Sequence, residues 1–162
     1  MSEAEEGPTM RQVVKVVYDM KPSPLLVRYG QQMAEKRIVG HKCPDCSFVY
    51  VPPKGYCPMC VVPTGDADEV EVEARGTVTS FTVINPIQYQ GQEEKDVYVL
   101  ASVLLDGASM TLGQQRIGEV LPEQVRTGMR VEAEWTRTAG AWGIAHWGPN
   151  GEADLPPEQV KG

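Results

Sequence analysis

The sequence predicts a mainly β protein in three parts: an N-terminal helical segment, a four-cysteine zinc ribbon of rubredoxin-like form, and a C-terminal five-stranded barrel of the oligonucleotide-binding (OB) type. Three observations carry this prediction. All the cysteines fall in "HKCPDCSFVYVPPKGYCPMC", residues 41–60; helical periodicity precedes them in "PLLVRYGQQMAEKR"; and from Val70 onward apolar and polar residues alternate in runs broken by glycine-containing turns. The parts divide into a partly disordered arm at residues 1–21, a helix at 22–40, the ribbon at 41–66, the barrel at 67–148 and a tail at 149–162.

Residues 1–9 are acidic, small and poor in apolar groups, so they bury too little surface to order themselves. "RQVVKVVYDM" follows with Val13, Val14, Val16 and Val17 in pairs, which fit a short strand or a buried helix equally. The prolines of "KPSP" block backward propagation of the next element. Leu25, Tyr29 and Met33 then stand at i, i+4 and i+8 on one side of a helix. Such a stripe usually faces its own core, but a helix placed ahead of the ribbon also makes these three residues a candidate partner interface.

"EVEARGTVTSFTVI" reads as one long strand, with Gly76 marking a bulge or bend that lets it serve both halves of a barrel. "VYVLASVLLDGASMTLG" reads as two strands joined by a two-residue turn at Asp106-Gly107. "MRVEAEWTR" turns Val131, Ala133 and Trp135 inward and Glu132 and Glu134 outward, and "AWGIAHW" returns across "TAG" as the fifth strand. "QQRIGEVLPEQVRTG" is an insertion between the third and fourth strands, and "GPNGEADLPPEQVKG" reads as an extended arm.

Fifteen Lys and Arg against twenty-two Asp and Glu give a formal charge of -7, a field that repels the phosphate backbone from which nucleic-acid binders draw affinity. The excess sits in Glu3, Glu5 and Glu6 and in "GDADEVEVE", runs that normally form a solvated face. The opening residues lack the basic start and apolar middle of a secretory leader, and no apolar run approaches the roughly 18 residues of a membrane span. The expected location is the cytoplasm, where disulfides are disfavoured.

The cysteines are spaced C-x2-C-x10-C-x2-C: Cys43, Cys46, Cys57 and Cys60. Each CxxC forms a knuckle that aims two thiolates at one point, and the ten-residue excursion brings the second knuckle back to complete a tetrahedron. Pro44 and Pro58 stiffen both knuckles at the same place. Four protein thiolates leave no vacant coordination position, so a zinc ion here is structural. Iron uses the same four donors and stays open. Thioredoxin-type redox pairs fit less well, because they need each CxxC at a helix N-terminus. His41 and His146 read as packed strand residues.

The helix, then "CPDCSFVYVPPKGYCPMC", "GTVTSFTVI", "VYVLASVLLDG" and "GMRVEAEW", resembles a family of zinc-ribbon plus OB-fold proteins found beside thiolases, the domain of unknown function thirty-five. The resemblance spans about residues 22–140. It implies a non-catalytic accessory subunit of a thiolase-superfamily complex acting on acyl-CoA by thiolysis, Claisen condensation or retro-aldol cleavage. Such a subunit stabilises its thiolase-like catalytic partner and helps form the passage for the acyl-CoA arm. A coenzyme A thioester is then a ligand shared by the complex, with aromatic or steroid degradation as the implied setting. The residues agree on one point: thioester chemistry of this kind needs a free cysteine nucleophile, and metal-held thiolates are not free. The coenzyme's phosphates would rest on the partner or on Lys36, Arg37 and Lys42.

Two other readings compete. OB barrels and ribbons also bind single-stranded nucleic acid, and Phe81, Tyr98, Trp135, Trp142 and Trp147 are candidates for stacking bases, although the net charge opposes it. An iron-loaded site would instead serve electron transfer and colour the protein red.

Overall fold

The computed structural model describes residues 15–87 and 93–160. Residues 1–14, including Val13 and Val14, lie outside that range, while Val16 and Val17 belong to no regular element and are 74% and 78% exposed. Ser23 starts the helix: its hydroxyl accepts the Leu26 amide at 3.3 Å, and Pro24 takes the first helical position, so α1 runs Pro24–Ala34. Lys36, at φ +62°, reverses the chain after it.

The reversal feeds β1 (Ile38–Lys42), whose first four residues are all buried. A strand so enclosed needs a partner on each edge, and β2 (Val49–Tyr50) and β3 (Glu69–Val72) supply them in the order β2-β1-β3, both antiparallel to β1. Gly40 is required here, since a Cβ would lie 2.6 Å from the Tyr50 carbonyl oxygen. The run expected as one long strand is therefore two. Its first half completes the ribbon sheet and its second half, β4 (Arg75–Ile84), opens the barrel. The ribbon sheet accordingly spans Ile38 to Val72, wider than residues 41–66 on both sides.

The barrel is closed in the order β4-β5-β6-β8-β7, with β5 Tyr98–Leu105, β6 Thr111–Ile117, β7 Arg130–Thr138 and β8 Ala141–Pro149. β7 returns to β4 through Arg75–Thr77, and β6 meets β8 in parallel at Ile117 and Trp147. This is the five-stranded OB topology the alternation predicts. Val78, Val103, Val131 and Trp147 are fully enclosed, and β5 alternates buried with half-buried along its length.

Three local expectations take a different form. Gly76 is not the bulge; its missing Cβ lets the Leu104 carbonyl oxygen approach to within 2.3 Å of where that atom would stand, and the register shift falls between Val78 and Ser80. β5 and β6 are joined by residues 106–110 rather than by two residues, although Gly107 does take φ +92°. The longer loop bonds the barrel to the ribbon, since Ser109 donates its amide to the Val49 carbonyl and its hydroxyl oxygen accepts the Val49 amide, each at 3.0 Å. The tail is not a free arm, because the Leu155 amide bonds the Gly128 carbonyl at 2.9 Å and Arg126 pairs with Asp154. The β7–β8 turn is as read, with Ala139 and Gly140 both at positive φ.

Ile38, Val49, Val51 and Val72 of the ribbon belong to the same apolar cluster as the barrel interior, so the two parts share one core. Among the described residues, no helix is long and apolar enough to cross a membrane.

Candidate metal centre

The two knuckles repeat one backbone design. The Ser47 amide bonds the Cys43 carbonyl at 2.9 Å and the Val61 amide bonds the Cys57 carbonyl at 2.8 Å, and Ser47 and Val61, each four residues on, both take positive φ. The turn also points amides at sulfur: Cys46 N–H lies 3.5 Å from Cys43 Sγ, and Cys60 N–H lies 3.4 Å from Cys57 Sγ. All four sulfurs lie within 4.8 Å of one another, and Cys46 Sγ is 3.7 Å from Cys57 Sγ. A zinc tetrahedron with ligand bonds of about 2.3 Å has sulfur–sulfur edges of about 3.8 Å, so the donor set fits the ion.

Cys43 and Cys57 are buried, Cys60 is half-buried and Cys46 is exposed at the rim. The Tyr50 hydroxyl stands 3.4 Å from Cys57 Sγ and Phe48 packs on the Tyr50 ring. Burial raises the Cys57 thiol, but the Tyr50 hydroxyl and the Cys60 and Met59 amides outweigh it and bring it down to about 6, towards the thiolate a metal needs. Met110, from the β5–β6 loop, covers the cluster. An ion held here would fix the ribbon, and with every position taken by protein it would have none left to activate water.

Beside this centre, α1 turns its stripe inward. Tyr29 and Met33 pack, partly buried, on the shared core, and Leu25 lies against Gly55; Leu26 and Val27 remain exposed. Arg28 clips the helix to the ribbon with paired bonds to Glu69 at 2.5 and 2.9 Å, and this partner above all holds the Glu69 carboxyl down at about 2. Lys36, Arg37 and Lys42 do not converge. Lys36 sits 3.8 Å over the Trp142 ring, Arg37 bonds Glu71 at 2.9 Å, and Lys42 lies at the far end of β1 in a groove with Asp68 and Glu69.

The aromatic residues are mostly committed within the chain. Trp147 is in the core with its Nε1 donating to Gln115, Trp135 packs against that core, Tyr98 carries Arg116 and Trp142 carries Lys36; Phe81 is left 39% exposed. His41 is buried with Nδ1 3.0 Å from Thr64 Oγ1, and the His146 ring lies so close to Gly118 that a Cβ there would be 2.3 Å from it.

Sequence reasoning missed the buried cation. Arg130, only 9% exposed, donates to both Asp106 oxygens at 2.9 and 2.5 Å, to Thr77 Oγ1 at 2.9 Å and to Glu152 at 2.7 Å. Its partners come from β4, the β5–β6 loop and the tail, so no local spacing announces it.

A four-cysteine ribbon that shares its core with a closed OB barrel defines a zinc-ribbon plus OB-fold protein. Family models match both halves: the ChsH2 rubredoxin-like zinc ribbon domain over residues 33–62 and the ChsH2 C-terminal OB-fold domain over residues 69–136. The chain belongs to the DUF35 family. A DUF35 domain-containing scaffold protein of Methanocaldococcus jannaschii is 30% identical over 114 residues, covering 70% of this chain and 78% of the relative. One from Methanothermobacter thermautotrophicus is 31% identical over 116 residues, covering 68% and 82%. Among solved structures, the Ltp2–ChsH2(DUF35) aldolase matches with TM-score 0.62 and 22% identity over 81% of this chain and 98% of that one. A DUF35 protein of unknown function from Sulfolobus solfataricus matches with TM-score 0.54 and 20% identity, over 68% and 77%. These two share the fold.

Proposed function

We propose that the chain is a non-catalytic accessory subunit of a thiolase-superfamily complex that acts on acyl-CoA, by thiolysis, Claisen condensation or retro-aldol cleavage. The carrying observation is the convergence of Cys43, Cys46, Cys57 and Cys60, the only cysteines in the chain, on one point. A metal there consumes every sulfur that could attack a thioester. The nucleophile then comes from the partner, and this subunit's work is to stabilise that partner and complete the passage for the acyl-CoA arm. Two relatives described as scaffold proteins and a solved structure described as an aldolase with a DUF35 component support the reading. With Lys36 and Arg37 engaged internally, the coenzyme's phosphates rest on the partner. The exposed Leu26 and Val27 of α1, beside the inward-turned Leu25, Tyr29 and Met33, are the helix surface offered to it.

Co-expression with a thiolase-like chain from the same cell tests this. A complex of fixed stoichiometry is expected, with turnover of an acyl-CoA only when both chains are present. Turnover by this chain alone, with one of its sulfurs trapped as a covalent acyl adduct, overturns the reading, as does the failure of any such chain to co-purify.

A further inference from the structure

β4 leaves the barrel before it ends. β7 covers its outer edge only at Arg75–Thr77, and the last backbone bonds there are Val78 N–H to the Met129 carbonyl at 2.9 Å and Gly128 N–H to the Val78 carbonyl at 2.8 Å. Beyond them, Thr79 sits at the register shift and Ser80–Ile84 pairs with β5 on one side, while among the described residues nothing pairs on the other. Phe81 and Val83 stand opposite Ala101 and Val99, on the face that is interior in β5, yet they are 39% and 41% exposed. Inward residues stay exposed only where the sheet lacks a neighbour. The segment carries neither charge nor proline, the usual means of blunting a free edge.

Two hollows flank the edge. Ser80, Thr82 and Ile84 with Leu100 and Ser102 line one of about 330 Å³; Val83, Val97, Leu121, Pro122 and Glu123 line the other, of about 440 Å³. The chain also holds a strand-like segment without a sheet. In Lys15–Met20 the residues Val16, Val17, Tyr18 and Met20 are each more than 70% exposed and belong to no regular element. Six residues of this composition match the six of Thr79–Ile84, and alternation puts Val16, Tyr18 and Met20 on one face and Val17 on the other. Lys15 carries a positive charge at one end of the segment, and Glu123 lines the second hollow.

We propose that Lys15–Met20 of one copy of this chain adds as a strand to the free β4 edge, Thr79–Ile84, of a second copy, and reciprocally, forming a homodimer. Addition between copies is what the single chain leaves, since within one copy Lys15–Met20 belongs to no regular element and its apolar side chains stay exposed rather than seated on the chain's own β4 edge. Direct β4-to-β4 pairing would leave the four apolar residues uncovered. This inference does not depend on the catalytic partner, and its test uses the chain alone.

Sedimentation equilibrium on the zinc-loaded full chain at tens of micromolar should give a dimer. Val16→Glu/Val17→Glu and Phe81→Lys/Val83→Lys should each give monomers, and an equimolar mixture of the two should regain dimer, because one intact strand meets one intact edge. Hydrogen exchange should protect the Thr79–Ile84 amides that point away from β5 at least tenfold more in the full chain than in a chain starting at Lys21. A monomer at 100 µM overturns the proposal, and so does a dimer that survives Val16→Glu/Val17→Glu. Protection of the β4 amides in a monomeric chain, the mark of a fold-back within one copy, overturns it equally.

Discussion

Replacing Arg130 with alanine should destabilise the protein by about 3 kcal/mol, the low end for removing one member of a buried ion pair. The low end applies because Arg130 is 9% exposed while its acceptors Asp106 and Glu152 are 32% and 41% exposed, so water recovers part of what they lose. At roughly 2.1 cal/mol/K of unfolding entropy per residue, that cost lowers Tm by about 9 °C in a chain of 162 residues. Urea unfolding followed by tryptophan fluorescence, with zinc held saturating, measures the free-energy cost. The control is Arg75→Ala, which removes a guanidinium 43% exposed over the same carboxylates and should change Tm far less, since solvent screens its pairs. The pH arm has a definite sign. Arg130 holds the Asp106 and Glu152 carboxyls below their ordinary values of 3.8 and 4.5, so the stabilisation is present above those values and is lost as pH falls through the lowered ones. Arg130→Ala should therefore flatten the acid limb of the stability curve. A cost under 1 kcal/mol, or equal costs for Arg130→Ala and Arg75→Ala, would refute the idea that burial decides which cation matters.

Purified protein should be colourless and carry one zinc per chain by elemental analysis, and Cys57→Ser should abolish that stoichiometry; a red, iron-loaded protein would contradict the zinc assignment. Gly118→Ala should destabilise through overlap with the His146 ring, and adding His146→Ala should restore most of the loss; denaturation midpoints that leave the double variant as unstable as the single one would place the strain elsewhere. Gly128→Ala, at φ +91° and with a Cβ that would stand 2.1 Å from the Leu155 carbonyl oxygen, should release the tail, read as faster proteolysis beyond Asn150 while the barrel stays folded.

The cysteine tetrad, the five barrel strands and the Ala139-Gly140 hairpin could be read directly from the sequence because each is specified locally, by spacing, by alternation or by a positive-φ pair. What escaped was set by neighbours distant in sequence. "EVEARGTVTSFTVI" carries the alternation of one strand, yet Ile38 and Val39 on the already enclosed β1 claim its first two residues, Glu71 and Val72, for the ribbon sheet. Asp106-Gly107 has the chemistry of a two-residue turn, but Ser109 is drawn off to bond Val49, sixty residues earlier, and the loop lengthens. The basic trio near the ribbon reads as a cluster only along the chain; in space Trp142 and Glu71 each take one member.

The shared core gives the metal a reach beyond the ribbon. Without bound metal, Cys43 and Cys57 are buried thiols in knuckles that keep their own backbone bonds but are no longer joined to each other through the ion, and the ribbon strands beside them lose that tether. Ile38, Val49 and Val51 then no longer have a fixed place against Leu105 and Val131, and the bed on which Tyr29 and Met33 hold α1 loosens with them. Chelation should therefore undock α1 as well as open the ribbon, and Trp142, beneath Lys36 at the helix's C-terminal end, is placed to report it. If a chelator strips the metal while the Trp142 environment and α1 protection stay unchanged, the ribbon and barrel are energetically independent and the helix surface is presented by the barrel alone.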